Sequence, residues 1–452
     1  MITLFGRYKP DSLKAHLARG VSGTFILLVS NIALSMLVSV FLARLLGVEG
    51  FGTYAYVMAI LQVLLILASF GLPTLIVREV AANRTKKNWG LIRGLLRWSA
   101  QTTFMLSVGL GLFAATATWV FKDHLGQYDL ITFWIAMIAL PLQSFVRLQA
   151  AALRGLRKVV ISQLSMRVIH PYLFLALLGA SYLWLRKDFT VPKAMSMYVI
   201  SFGIAFIVGW FLLRKNLSLN TKTATPVYET KLWIKSALPL LFTCGVVIIH
   251  DKIDILMLGA LRGTEDVGLY RVAQRGSELV VLILIAVEMA IGPTISKFYT
   301  EGNMQKLQRM ITISVRVVFV LSFSFAFGLI IFGFRIVPFI FGKEFAPSVL
   351  PLAILCGSWL VAAGMGSGSE LLNMTGHERD TAKATALSAV ANLILNSIFI
   401  PIWGIEGAAI ATGISIILRG ILMAVWVNRR IGIHATVFSR LNQGILSATI
   451  RR

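Results

Sequence analysis

The sequence predicts an all-α integral membrane protein of about twelve transmembrane helices, arranged as two six-helix lobes related by a pseudo-two-fold axis along the membrane normal, with a central cavity. Three observations predict it. Of 452 residues, 57% are hydrophobic and 14% charged, where a soluble globule carries about 25% charged residues. The polar gaps between apolar stretches alternate between rich and poor in Lys and Arg. A short Gly-rich motif recurs at one constant offset, dividing the chain into similar halves.

The apolar stretches lie near 20–43, 52–77, 99–121, 130–153, 159–184, 194–213, 236–260, 267–296, 310–334, 347–374, 382–402 and 405–427. Each meets the roughly 20 residues that a helical span requires. The first follows a basic tail as a signal peptide would, but it is too long for a signal core and Arg44 stands where a small-residue cleavage site belongs, so it reads as a permanent span. Between the sixth and seventh spans, 214–235 is rich in Asn, Thr and Lys. It reads as a cytoplasmic linker between an N-terminal lobe, 1–213, and a C-terminal lobe, 236–427, with a basic cytoplasmic tail at 428–452.

Most of the 43 Lys and Arg residues lie in the N-terminal tail, the even loops and the C-terminal tail: Arg78, Arg84, Lys86 and Lys87 follow the second span, and Arg154, Arg157 and Lys158 the fourth. The odd loops are poor, with Arg44 in the first and Lys122 in the third. Basic loops stay cytoplasmic, which places both termini inside. The net charge of +24 is therefore a topology signal that also suits anionic lipid headgroups, and nucleic acid is not expected as a partner. Cys244 and Cys356 both fall in apolar spans, which offers neither a disulfide framework nor a paired-cysteine metal motif.

Gly47-x-Glu49-x-x-Gly52-x-Tyr54, between spans one and two, recurs as Gly263-x-Glu265-x-x-Gly268-x-Tyr270, between spans seven and eight. An even number of spans separates the copies, so the halves share one orientation and form a parallel repeat. Such a repeat implies a cavity between two bundles and transport by rocking.

Ionisable residues inside spans are costly and mark function by default. Spans seven and eight hold His250, Asp251, Lys252, Asp254, Arg271, Arg275 and Glu278. Helical spacing puts Arg271, Arg275 and Glu278 on one face of span eight, and His250 with Asp254 on one face of span seven. The same spacing suits a neutralising ion pair, Asp254 or Asp251 with Arg271 or Arg275, or pairs that exchange partners during rocking. Guanidinium forks match phosphate oxygens, so Arg271 and Arg275 point to an anionic, phosphorylated cargo. Glu288 and Glu370 have no cation within a turn of their own helices and are candidates for coupling, with H+ and Na+ both open; snorkelling to the surface is the plainer reading of Glu370. Asn31, Ser35 and Ser39 form a polar stripe on span one, suited to helix packing or, for Asn31, to substrate. Gly364-x-Gly366-x-Gly368 weakens span ten just before Glu370.

The chain has no Gly-x-x-x-x-Gly-Lys-Ser/Thr loop, no His-Glu-x-x-His and no Gly-x-Ser-x-Gly, so nucleotide hydrolysis and the common hydrolase chemistries are not expected. No cofactor is expected.

At the level of motifs the chain resembles the polysaccharide (Wzx-type, O-antigen and exopolysaccharide) flippases of the multidrug, oligosaccharidyl-lipid and polysaccharide exporter superfamily. The residues that carry the resemblance are Arg19-Gly20-Val21-x-Gly23-Thr24, the run Phe41 to Tyr54, Gly71-Leu72-Pro73 with Arg78-Glu79, Asp254 ahead of Leu258-Gly259, Val267-Gly268-Leu269-Tyr270 and Ala273, and Pro401-x-x-Gly404-x-x-Gly407-Ala408-Ala409. The resemblance implies a transporter that turns a polyprenyl-diphosphate-linked oligosaccharide from the inner to the outer leaflet of a bacterial cytoplasmic membrane by alternating access. It also implies work beside a polysaccharide polymerase and chain-length proteins, and a cationic cavity that maps onto Arg271, Arg275, Lys252 and Arg44. Asp251, Asp254, Glu278, Glu288 and Glu370 are then coupling or gating groups. A cation-coupled multidrug antiporter of the same superfamily is the competing expectation.

Overall fold

The computed structural model describes residues 13–120, 127–184 and 189–439, with side chains at 30–120, 130–183 and 189–439. The N-terminal basic residues Arg7 and Lys9, the side chains of Arg19 to Thr24, the loop residues Lys122, Arg186 and Lys187, and the tail from Arg440 lie outside the described residues.

Among the described residues there is no strand. Fourteen α-helices follow one another: α1 (Leu13–Ser69), α2 (Leu72–Thr85), α3 (Trp89–Val120), α4 (Gln127–Gly155), α5 (Val159–Gln163), α6 (His170–Trp184), α7 (Val191–Asn216), α8 (Leu219–Thr223), α9 (Thr230–Leu261), α10 (Thr264–Thr300), α11 (Met304–Ile340), α12 (Val349–Met365), α13 (Gly368–Met374) and α14 (Glu378–Ile431). Ten helical stretches are long and apolar enough to cross a membrane. Two of them count double. A straight helix of the 54 residues of α14 would be about 80 Å long, far beyond a hydrocarbon core of about 30 Å. It reverses instead at Gly404 (φ 58°, ψ −126°). A Cβ built on Gly407 would meet the carbonyl of Phe399, residues that stand about 12 Å apart in a continuous helix. The other double stretch, α1, bends at Gly47 (φ 69°). The protein is thus a multi-pass membrane protein, with twelve spans among the described residues.

By internal packing the chain divides into two compact units, one of Met1–Phe41 and Leu61–Cys244, the other of Leu42–Ile60 and Gly245–Arg452. The turn between the first two spans therefore packs with the C-terminal half of the chain.

In the first unit, Leu72, Leu75, Ile76 and Val80 of α2 pack with Ile92 and Leu95 of α3, Leu148 and Ala152 of α4, and Trp233 and Ala237 of α9. The second span ends at Gly71 (φ 68°), earlier than hydropathy suggests, and Pro73 opens α2 where its missing N–H is harmless. Ser99, Thr103 and Ser107, four apart on α3, are all buried; such small-residue seams let helices approach closely in lipid. Pro141 inside α4 frees the Met137 carbonyl, and Gly111 of α3 lies beside that oxygen. Residues 214–235 are partly helical, and their extended stretch is stitched to α3: Val227 N–H donates to Gly90 O at 3.0 Å and Arg93 Nη1 to Ala224 O at 2.6 Å. Span five is interrupted by a π-helical turn, Leu164–Ile169.

In the second unit, Gly52 packs on the backbone of Thr264 and Gly268, and Gly268 on that of Val48 and Gly52. Only glycine permits this crossing, because the neighbours are main-chain atoms that cannot swing aside. A separate apolar cluster joins Ile295, Leu307, Ile311, Leu371, Ala384, Met423 and Val427 with Ile433 and Ala435 of the chain beyond α14. The tenth span is broken at Gly366 (φ 80°) between α12 and α13.

Candidate functional site

The second unit carries a buried carboxylate held by neutral donors. Asp254, on α9, is 2% exposed. Its Oδ1 accepts from Asn392 Nδ2 and Asn396 Nδ2, both at 2.8 Å. Its Oδ2 accepts from Thr412 Oγ1 at 2.8 Å and from Tyr270 Oη at 3.0 Å. Asn392 and Asn396 are four apart on the first limb of α14 and share one face with buried Ser388; Thr412 comes from the second limb and Tyr270 from the repeated motif on α10. None of the ion pairs among the described residues includes Asp254. A buried charge without a counter-ion is expensive unless hydrogen bonds satisfy it, and here four donors do so. Asn396 Oδ1 is buried with no hydrogen-bond partner. Two hydroxyls and two amide N–H groups thus all donate to one carboxylate. A lone buried carboxylate ringed by neutral groups suits a proton, and hydroxyls and amides that can turn an oxygen toward it suit a monovalent alkali cation.

Next to it on α10 stands a cationic group. Arg275 Nη1 meets Glu278 Oε2 at 2.7 Å, and Arg271 Nη1 lies 4.0 Å from Glu278 Oε1. Arg271 also donates to Gln274, and Arg275 Nε is buried without an acceptor. Lys252 lies within electrostatic reach of Arg271, Arg275 and Glu278. Three cations therefore stand beside Glu278, which the arginines pair with, and the exposed Asp251 next to Lys252, leaving donor capacity for an oxyanion.

The spacing left open a salt link between Asp254 or Asp251 and these arginines. Asp254 turns instead to α14 and the arginines to Glu278 of their own helix, while Asp251 is exposed. Lys252, which helical spacing sets on another face from His250 and Asp254, is the residue of α9 that joins the cationic group.

Glu370, on α13, lies over Gly292 of α10: a Cβ there would collide with its carboxylate. Gly292 is one turn beyond Glu288, so the two carboxylates share one side of α10, with Ser367 beside Glu288. Arg419 sits within electrostatic reach of Glu288 and Asp251 and 6.0 Å from the ring of Trp359. Arg44 is placed elsewhere. Its Nε donates to Ile340 O at 2.7 Å and its Nη2 to Phe339 O, capping the last turn of α11, where a cation suits the exposed carbonyls. Asn31 lies in the first unit, and on its stripe Ser35 and Ser39 bond to backbone carbonyls of their own helix.

Sequence reasoning missed Tyr270, Thr412, Asn392 and Asn396. A pair of asparagines four apart in an apolar span was the available signal.

The pattern of a family described as polysaccharide biosynthesis protein matches residues 17–299, more than half the chain. The chain belongs to that family. A second pattern, MatE, matches residues 239–398 of the chain. Among curated relatives, "Probable low-salt glycan biosynthesis flippase Agl15" of Haloferax volcanii is 25% identical over 95% of this chain and 89% of its own. Among solved structures, an inward-facing multidrug resistance transporter of the MATE family superposes with a TM-score of 0.74 at 14% identity, covering 89% of this chain and 94% of that one. The lipid II flippase MurJ superposes with a TM-score of 0.71 at 12% identity, covering 89% and 87%. At such identities the structural likeness shows the fold.

Proposed function

We propose that this protein is a flippase for lipid-linked glycans, turning polyprenyl-diphosphate-linked oligosaccharide repeat units from the cytoplasmic to the outer leaflet by alternating access. The observation that carries the reading is the excess of cations on α9 and α10. Arg271, Arg275 and Lys252 stand in apolar spans against Glu278, with which the arginines pair, and Asp251, which lies beside Lys252. Cations in spans pair with neighbours or face a water-filled cavity, an excess of them there attracts an anion, and a diphosphate supplies the charge and the oxygens for two guanidinium forks. The naming of Agl15 as a glycan biosynthesis flippase and membership of a polysaccharide biosynthesis family support the cargo class. The competing multidrug reading draws on the MATE-like fold, but a site for cationic drugs needs complementary negative charge, and this group is positive.

The Asp254 centre is the coupling site in this reading. A cation entering would take the place of the donors on Asp254, turning the Thr412 and Tyr270 hydroxyls and the asparagine amides so that their oxygens face it.

The test is flipping in proteoliposomes of a fluorescent polyprenyl-diphosphate sugar, alongside surface glycan in cells. Arg271→Ala and Arg275→Ala should each lower flipping by about 100-fold, the loss of roughly 3 kcal/mol of charge-assisted contact, with unchanged protein in the membrane. Normal flipping in both variants overturns the assignment.

A further inference from the structure

The chain beyond α14 does not leave the second unit. After Gly432 (φ 74°), residues 433–439 run without helix across α11 and the break in the tenth span. Gln308 clasps the His434 backbone with both ends of its amide, Nε2 to O at 2.8 Å and N–H to Oε1 at 2.9 Å. Thr312 Oγ1 meets Ser439 Oγ at 3.1 Å, and Arg316 Nη2 donates to Ser439 O at 3.0 Å. Ile433, Ala435 and Ser439 are buried, whereas Phe438 is 91% exposed.

Val437 N–H donates to Gly364 O at 2.9 Å. In a continuous helix that carbonyl would receive the N–H of Gly368, which here bonds to Gly366 O at 2.9 Å. Non-helical backbone at membrane depth is tolerated only where another group satisfies it. The strap is that group for Gly364. Gly366 makes room for it, since a Cβ there would strike the carbonyl of Ala435. Either donor satisfies Gly364 O, the Val437 N–H at the break or the Gly368 N–H in a continuous helix, so both arrangements are open to the chain.

We propose that the 432–439 strap is a latch that trades with helix continuity in the tenth span. Seated, it holds the break at Gly366 and keeps Glu370 over Gly292, one turn from Glu288. Released, it lets α12 and α13 join into one helix, which carries Glu370 away from that face of α10. The linker of the first unit also crosses a helix, α3, through Gly90 and Arg93, but those bonds bridge no break, so the switch belongs to the C-terminal unit alone. Its consequence for transport rests on the flippase reading; its existence does not.

A Cβ on Gly364 would lie 3.9 Å from Val437 Cγ1, so Gly364→Cys with Val437→Cys, in a background of Cys244→Ser and Cys356→Ser, can lock the latch shut. Oxidation should lower flipping of the fluorescent polyprenyl-diphosphate sugar by about tenfold or more, with recovery on reduction, because a locked protein cannot change state. Full flipping by the cross-linked protein overturns the proposal. A second arm needs no cargo: labelling of Val437→Cys by a water-soluble maleimide should rise several-fold when Gly366→Ala favours the continuous helix. Equal protection in both backgrounds overturns the latch. Should the sugar fail to flip even in the unlocked background, the flippase reading fails while the labelling arm still decides the latch.

Discussion

Gly52 and Gly268 occupy the same position in the two copies of the repeated motif, and they touch each other. A Cβ on Gly52 would lie 2.9 Å from Gly268 N, and one on Gly268 3.2 Å from Gly52 N. The repeat read from the sequence as a likeness is, in the folded chain, a contact. Gly268→Leu should lower stability by about 1–3 kcal/mol, the usual penalty of overpacking, seen as a lower unfolding midpoint in detergent. Gly109→Ala, where nothing lies within 4 Å, should leave the midpoint unchanged or raise it slightly. Equal midpoints for Gly268→Leu and the unmodified protein would contradict the crossing.

Replacing Asp254 tests whether its centre couples or merely packs. Asp254→Ala takes the common acceptor from four donors, which the Tyr270–Thr412 and Asn396–Asn392 bonds replace only in part; each donor left buried and unmet costs about 1–3 kcal/mol, so reduced protein in the membrane is expected. Asp254→Asn keeps the shape and should insert normally. Its flipping should be indifferent to imposed Na+ and H+ gradients, whereas the unmodified protein should respond to one of them. A gradient response in Asp254→Asn removes the coupling role.

Arg44 and Arg271 should separate cleanly. Arg44→Ala loses the cap on α11 and about 0.3–1 kcal/mol, read as a small fall in unfolding midpoint with flipping per molecule unchanged. Arg271→Ala should show the opposite pattern. A flipping defect in Arg44→Ala without a stability change would return Arg44 to the cargo site.

The linker crossing predicts a position-specific effect on α3. Gly94→Val would drive a side chain into the Val227 carbonyl, and trypsin cleavage at Lys222 should accelerate as the linker lifts. Unchanged cleavage would show that the linker is held without this contact.

The spans were legible because burial in lipid demands about 20 apolar residues whatever the partners are. The turn at Gly47 and the weak point at Gly366 were legible because glycine marks backbone that other residues resist. Partner choice was not. Asn392 and Thr412 lie 138 and 158 residues from Asp254, and helical periodicity says which residues share a face, never which faces meet. For the same reason Arg44 looked like a cavity cation, though it caps a helix nearly 300 positions later in the chain. The strap was invisible, since residues beyond the last span carry no hydropathic signal of docking.

The Asp254 centre also sets an order of birth. The carboxylate enters the bilayer with the seventh span, yet its Thr412 donor is made 158 residues later, on the order of 10–30 s at ordinary translation speeds. Until then Asp254 must stay protonated, remain near the translocation machinery or be sheltered by a membrane chaperone. Ribosome-stalled chains ending before Asn392 should accordingly be degraded faster than chains ending beyond Thr412.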